Sequence, residues 1–183
     1  NSVVLVAVGG RYYVAVGPLQ MLPYLVFVPI HALQGAARYL VSLAFGLVAA
    51  WLALPLARAF GGQGKATYWV ASFIAFGTLL FFVAVFGNFY YLAHAESFLA
   101  LELFLLEWAG RRRPLLLGLF LAVSFLTRPT TVVAAIPFGL ALLWRHRSRI
   151  RTAVALAAPL PVALGLYAPY NIPRFGPPLG GGC

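Results

Sequence analysis

Long runs of apolar residues, separated by short polar or arginine-rich stretches, make up most of this chain. Six of these runs have helical length: 39–57, 67–86, 89–108, 114–127, 130–144 and 152–167. A bilayer core of about 30 Å needs about 20 apolar residues per helix, and a chain of 183 residues has room for about six such elements. The pattern therefore predicts an all-α fold, a polytopic bundle of transmembrane helices with about six spans.

An earlier apolar run, residues 16–33, is interrupted by Pro18, Pro23 and Pro29. Interior prolines remove backbone hydrogen bonds and bend helices, so we expect a broken helix that is interfacial or re-entrant. The expected organisation is one transmembrane domain over residues 1–183, made of an outer-face interfacial segment, a helix bundle and the start of an outer loop: 1–38, 39–170 and 171–183. Because the chain starts without Met and stops in a loop-like stretch, we also expect it to be an internal fragment of a longer polytopic protein.

Composition identifies lipid as the solvent for most of the chain. Hydrophobic residues make up 63% of it and charged residues only 9%, whereas a soluble domain is about a quarter charged. The formal net charge of +10 would suit a nucleic acid, but the arginines lie in the gaps between apolar runs. That distribution is the positive-inside pattern of membrane proteins, so no nucleic-acid partner is predicted.

The basic residues also predict an orientation. Nine of the 13 lie in loops on one side of the predicted bundle: Arg58, Lys65, Arg111, Arg112, Arg113, Arg145, Arg147, Arg149 and Arg151. The other side carries Arg38, Arg128 and Arg174, and also Arg11 if residues 16–33 do not cross. The first side is therefore cytoplasmic, and the stretch "YYLAHAES" at residues 90–97 faces outward.

One short run places an arginine below the membrane surface. Residues 114–127 span roughly 21 Å at 1.5 Å per residue, which is less than the hydrocarbon thickness of about 30 Å. The turn "TRPT" that follows should therefore dip into the membrane. An arginine at such a depth costs about 2.5–3.5 kcal/mol unless it has a partner, so Arg128 is predicted to bond to an anionic group.

Carboxylates are scarce, with three glutamates and no aspartate in the chain. Glu107 precedes Arg111 by four residues, the favourable order for a surface ion pair on a helix. Glu102 lies near mid-membrane, where a bare carboxylate is costly, and both a packing role and a functional role stay open for it.

His94 and Glu96 lie at the outer end of the run 89–108. Two residues on a helix are about 200° apart, so these side chains converge on one spot only if the segment is a loop. Glu96 is then either a polar residue of an outer loop or a base, metal ligand or substrate-orienting group in an outward cavity. His94 alone is more typical of an interfacial residue.

Cations and aromatic residues also cluster on the outer side. Arg11 is followed by Tyr12 and Tyr13, and Arg174 follows Tyr170. Membrane anchoring explains such patches, and recognition of phosphate or carboxylate groups is the functional alternative.

Several stretches, taken in order, carry a family resemblance: "YYLAHAESFLALELFLLEW" at 90–108, "GLFLAVSFLTRP" at 118–129 and "YNIPRFGP" at 170–177. Together they resemble the GT-C membrane glycosyltransferases, chiefly the bacterial relatives of protein O-mannosyltransferases and aminoarabinose transferases. The resemblance implies transfer of a sugar from a polyprenyl-phosphate carrier to a glycan, lipid or protein acceptor. It places the active site on the outer face of a bacterial inner (cytoplasmic) membrane.

The resemblance also implies roles for individual residues. The attacking hydroxyl needs a carboxylate base, for which Glu96 is the candidate, and the leaving lipid phosphate needs cationic or metal stabilisation. Arg128 and Arg174 suit that phosphate, and the wider set of substrate-binding candidates is Arg11, Tyr12, Tyr13, His94, Arg128, Tyr170, Asn171 and Arg174. Glu96, Arg128 and aromatic residues are expected to share an outward cavity that opens to lipid. The family leaves open whether a divalent metal takes part.

One feature departs from the family. These relatives carry a catalytic aspartate in the first outer loop, and this chain has none. We expect that loop to lie upstream of Asn1 and the chain alone to be inactive; a non-catalytic relative is the alternative. Two other hypotheses are a transporter or flippase, which would show repeats and broken helices with polar linings, and a non-catalytic envelope-assembly subunit.

Overall fold

The fold is a bundle of helices preceded by a short hairpin. The structure is a computed structural model that describes residues 5–8, 11–14, 17–27, 29–30, 34–87, 89–145 and 149–175. Strands β1 (Leu5–Val8) and β2 (Arg11–Val14) pair antiparallel, with Leu5 opposite Val14 and Val8 opposite Arg11. An N-terminal 3-10 helix follows over Leu19–Phe27.

Helices make up most of the rest of the described chain. The α-helices are α1 (Gln34–Ala59), α2 (Gly64–Phe76), α3 (Leu79–Phe86), α4 (Phe89–Ala109), α5 (Pro114–Thr127), α6 (Ile136–Arg145), α7 (Arg149–Ala157) and α8 (Pro159–Phe175). A second 3-10 helix, Pro129–Ala135, joins α5 to α6.

Apolar helices long enough to cross a membrane are present. Among the described residues, two helical stretches qualify by length and composition, Tyr39–Ala59 and Ile150–Pro173, and the bent pair α2–α3 makes a third if it counts as one span. The prediction of a helical membrane protein is thus confirmed. The finer prediction of about six spans stays a prediction.

The N-terminal region is irregular, as its prolines predict. The 3-10 helix contains Pro23, and its nine residues rise only about 18 Å at 2.0 Å per residue. That length is too short to cross the bilayer core of about 30 Å. The boundaries nevertheless differ from the expected ones, because α1 begins at Gln34 and α8 continues to Phe175. Residues 171–175, expected to start a loop, are helical.

The expected single helix over residues 67–86 is broken into α2 and α3. The two helices meet at an angle of 45°. Gly77 ends α2, and the Thr78 hydroxyl both donates to the Ile74 carbonyl at 2.7 Å and accepts from the Leu80 N–H at 3.2 Å. A threonine side chain that satisfies backbone groups in this way competes with the helical hydrogen bonds, which explains the break.

Helix α5 lies at the centre of the packing. One of its sides joins α4 and α6 in a core cluster of Phe104, Leu117, Leu121 and Leu142. Further along, Ala122 and Leu126 pack with Ala163 and Tyr167 of α8. Gly118 allows the backbone of α7 to approach closely, because a Cβ there would overlap the Leu156 carbonyl oxygen. Small residues permit such close helix contacts in membranes.

One end of the bundle, which we call the basic end, carries exposed cations: Arg58, Lys65, Arg111, Arg113 and Arg151. The predicted partner of Glu107 is wrong, because Glu107 pairs with Arg113 at 2.8 Å and not with Arg111. Arg112, three residues after the end of α4, adopts a left-handed backbone with φ of 55°, which turns the chain so that Arg113 returns to Glu107. The Glu107 hydrogen bond raises the pKa of the Arg113 guanidinium.

We predict that Gly118→Ala destabilises the fold by about 1–3 kcal/mol, the usual cost of forcing extra atoms into a packed contact. Thermal unfolding in detergent would measure the loss. Gly165→Ala is the matched control, because nothing lies within 4 Å of a Cβ at that position of α8. Equal stability of the two variants would contradict the close α5–α7 contact.

Candidate functional site

Helix α4 determines where the two residues singled out in "YYLAHAES" point. The helix begins at Phe89, so the loop alternative for this segment is wrong. Because residues two positions apart on a helix diverge by about 200°, His94 and Glu96 face different surroundings. Glu96 is 4% exposed, whereas His94 is half-buried.

Glu96 lines a cleft of about 370 Å³, which we call the Glu96 cleft. The N-terminal 3-10 helix covers it, and α1, α4 and α5 form its walls. Its other lining residues are apolar: Leu19, Leu22, Pro23, Phe45, Leu99, Ala100, Leu103, Leu119, Phe120 and Val123. Leu22 and Leu119 are 52% and 46% exposed, so the cleft opens beside them onto an exposed apolar surface.

The Glu96 carboxyl is unpartnered within the described part of the chain. Both of its oxygens are buried and accept no hydrogen bond there. A buried polar group without a partner costs about 1–3 kcal/mol, and more if it is charged. Such a group in an otherwise apolar wall is a strong candidate for contact with a ligand.

Arg128 lies outside the Glu96 cleft and contacts His94. Its Nη1 is 2.9 Å from His94 Nδ1. A guanidinium only donates, so Nδ1 accepts and the imidazole proton lies on Nε2. The expected cavity shared by Glu96 and Arg128 is therefore not found. Arg128 was also expected to bond to an anionic group, but its partner among the described residues is a neutral imidazole.

A chain of hydroxyl groups connects α4 to the turn that carries Arg128. Ser97 lies 2.9 Å from Ser124, the Ser124 hydroxyl donates to Thr131 at 2.6 Å, and Thr131 donates to the Arg128 carbonyl at 2.6 Å. Since each hydroxyl has one proton, Ser97 must donate to Ser124. The chain holds the Arg128 turn against α4, close to His94.

Sequence reasoning missed these hydroxyls as part of the site. The signal that could have found them is the presence of Ser97, Ser124 and Thr131 in otherwise apolar segments, because small polar residues bond neighbouring helices inside membranes. Their partners, however, depend on helix rotation, which the sequence pattern of these segments does not specify.

The other predicted site residues lie away from the cleft or outside the described side chains. Arg11, Tyr12 and Tyr13 form most of β2, and Arg174 lies in the last turn of α8; their side chains are outside the described part. Asn171 is buried and Tyr170 is half-buried on α8. Neither contributes to the lining of the Glu96 cleft.

Glu102 is a second buried carboxyl. It is 2% exposed, and its oxygens have no hydrogen-bond partner among the described residues. It lies six residues after Glu96, which turns it about 120° away around α4, and it does not line the cleft. Glu102 is therefore separate from the Glu96 site.

The cleft does not fit a divalent metal ion. Within the described residues, no three His, Cys, Asp or Glu side chains lie close enough together to hold one. A hard cation such as Mg²⁺ takes several oxygen ligands, whereas among the described residues Glu96 is the only oxygen-bearing side chain in the cleft lining. No step is therefore assigned to a metal.

Comparisons with known proteins give no relative. No protein-family model, no curated protein and no solved structure matches this chain.

We predict that Ser124→Ala lowers stability by about 1 kcal/mol, in the range measured for hydrogen bonds between membrane helices. The variant removes the hydroxyl that joins Ser97 to Thr131. Ser72→Ala, at an exposed position of α2, is the control and should unfold like the wild type. An unchanged unfolding transition for Ser124→Ala would show that the hydroxyl chain does not hold the turn.

Proposed function

We propose that this chain belongs to a membrane glycosyltransferase that moves a sugar from a polyprenyl-phosphate carrier to a glycan, lipid or protein acceptor. The reaction would take place on the outer face of a bacterial inner membrane. The observation that carries the proposal is the apolar cleft that opens at the surface and has in its wall one buried carboxyl without a partner among the described residues. The GT-C resemblance supplies the reaction.

The cleft suits the hydrocarbon part of such a carrier. Its volume of about 370 Å³ lies within the range of about 300–1,000 Å³ that is usual for small-molecule sites. From Glu96 to Leu103 it follows α4 for about 10 Å, and no other ionisable group among the described residues lines it. An isoprenoid chain can enter from the bilayer beside Leu22 and Leu119 without leaving an apolar environment.

The polar groups at the His94 end of α4 suit the reacting part of the substrate. In this proposal Glu96 accepts the proton of the attacking acceptor hydroxyl, and Arg128 stabilises the departing lipid phosphate. His94 accepts one hydrogen bond from Arg128, and a guanidinium has five N–H donors. Donors therefore remain for phosphate oxygens while His94 orients the group.

A polytopic arrangement agrees with this proposal. Short connections favour antiparallel successive helices. In this proposal six passes would come from α1, the pair α2–α3, α4, α5, the second 3-10 helix with α6, and the pair α7–α8. The basic end would then face the cytoplasm, and His94, Glu96 and Arg128 would lie toward the outer face.

A transporter or flippase is the second candidate, and the break between α2 and α3 favours it. Transporters place broken helices at their binding sites, where freed backbone groups meet the substrate. Here Thr78 and Gly77 satisfy the freed groups themselves, and neither residue lines the Glu96 cleft. The glycosyltransferase therefore remains the better-supported proposal. The third alternative is a non-catalytic envelope-assembly subunit. No contact among the described residues favours it specifically.

We predict that a photoactivatable polyprenyl phosphate labels the cleft. Leu103→Trp fills the cleft and should reduce the labelling severalfold, because the bulkier ring occupies the space of the chain. Leu140→Trp, which adds the same bulk at an exposed position of α6, should label like the wild type. Mass spectrometry of the labelled peptides would locate the label, and a label elsewhere would contradict the assignment of the cleft.

We predict that Glu96→Gln, made in the full-length protein, lowers kcat for sugar transfer by about 10²–10⁴-fold. This is the usual contribution of a general base. KM for the carrier should change little, since the amide preserves shape. Glu107→Gln is the control, because Glu107 lies at the basic end in an ion pair with Arg113. If Glu96→Gln retained both the labelling and full activity, the cleft would be a lipid site whose carboxylate has no part in catalysis.

A further inference from the structure

A second groove lies on α2 at the basic end of the bundle, separate from the Glu96 cleft. It has a volume of about 270 Å³ and is lined by Lys65, Tyr68, Trp69 and Ser72. These positions follow the spacing i, i+3, i+4 and i+7, so they share one face of the helix. All four side chains are exposed, with Trp69 at 78%.

The order of chemical groups along this face matches the order of groups in a phospholipid. The cation Lys65 lies at the start of α2, the aromatic rings and the Ser72 hydroxyl follow within about 10 Å, and the exposed rings of Phe73 and Phe76 continue toward the middle of the bundle. Tyrosine and tryptophan rings typically lie at headgroup level in membranes. A phosphate, a glycerol backbone and an acyl chain would meet these three zones in turn.

The charge of the groove selects the kind of headgroup. Within the part of the chain that the structure describes, Lys65 is the only charged residue in its lining, and the basic end carries further exposed arginines. The carboxylate of Glu107 is engaged by Arg113, so no free carboxylate side chain among the described residues of the basic end is offered to a cationic headgroup. The aromatic rings alone would also suit the quaternary ammonium of phosphatidylcholine, but Lys65 repels that cation.

We propose that the α2 groove is a binding site for an anionic phospholipid such as phosphatidylglycerol. Lys65 contacts the lipid phosphate, Tyr68 and Trp69 flank the glycerol region, and the acyl chain lies along Phe73 and Phe76. This site is independent of the proposed glycosyltransferase reaction, since it shares no residue with the Glu96 cleft.

Fluorescence quenching by brominated lipids tests the site, because Trp69 lies within it. The full chain is reconstituted in vesicles with equal amounts of phosphatidylglycerol and phosphatidylcholine, and only one of the two lipids is brominated in each sample. The emission of Trp69 is isolated as the difference between the wild type and Trp69→Phe. We expect brominated phosphatidylglycerol to occupy the site about fivefold more strongly than brominated phosphatidylcholine, which corresponds to ~1 kcal/mol for one lysine near the surface.

Two exposed-site variants separate a specific groove from a general attraction of the basic end. Lys65→Gln should reduce the ratio of phosphatidylglycerol to phosphatidylcholine occupancy to about one. Arg58→Gln removes an exposed charge outside the groove lining and should retain the wild-type ratio. Equal quenching by the two lipids in the wild type would overturn the proposal. Equal loss of preference in Lys65→Gln and Arg58→Gln would also overturn it, in favour of nonspecific attraction.

Discussion

The antiparallel contact between α4 and α5 positions every group of the proposed active site. Polar contacts hold it at both ends: the Glu107–Arg113 ion pair at the basic end and the Ser97–Ser124 hydrogen bond toward the other. Between them, Phe104 of α4 packs on Leu117 and Leu121 of α5. Inside a bilayer the hydrophobic effect does not drive helices together, so such polar bonds and close packing determine how they associate.

This contact also explains why Glu96 and Arg128 face different surroundings and do not form an ion pair. Helix α4 turns Glu96 toward the cleft and His94 toward the turn after α5, and the hydroxyl chain through Ser124 holds that turn in place. Arg128 therefore meets the imidazole and not the carboxylate. A direct Glu96–Arg128 pair would engage both groups with each other, whereas in the proposed reaction their separation leaves the carboxyl available to accept a proton and the guanidinium available to bind an anion.

The sequence predicted the helices better than it predicted which side chains contact each other. The apolar runs predicted the helical elements of the bundle because lipid requires long apolar segments whose backbone is bonded internally. The break at Thr78 was not predicted, because a local side-chain hydrogen bond prevails over an apolar pattern that is otherwise continuous. The pairing of Glu107 with Arg113 was missed because it depends on the left-handed backbone of Arg112. The burial of Glu96 and the Arg128–His94 contact depend on helix rotation, which a nearly uniform apolar pattern does not determine.

The scarcity of carboxylates narrows the chemistry that this chain can perform. Its acidic side chains are three glutamates, and all of them lie on α4. Glu107 is bound through both oxygens by Arg113, and Glu102 is buried away from the cleft. Any step in which an acidic side chain of this chain accepts a proton from a ligand in the cleft must therefore use Glu96. The same argument makes the apolar wall around Glu96 functionally relevant: a carboxyl that no neighbouring side chain satisfies gains most when a ligand brings a hydrogen-bond donor to it.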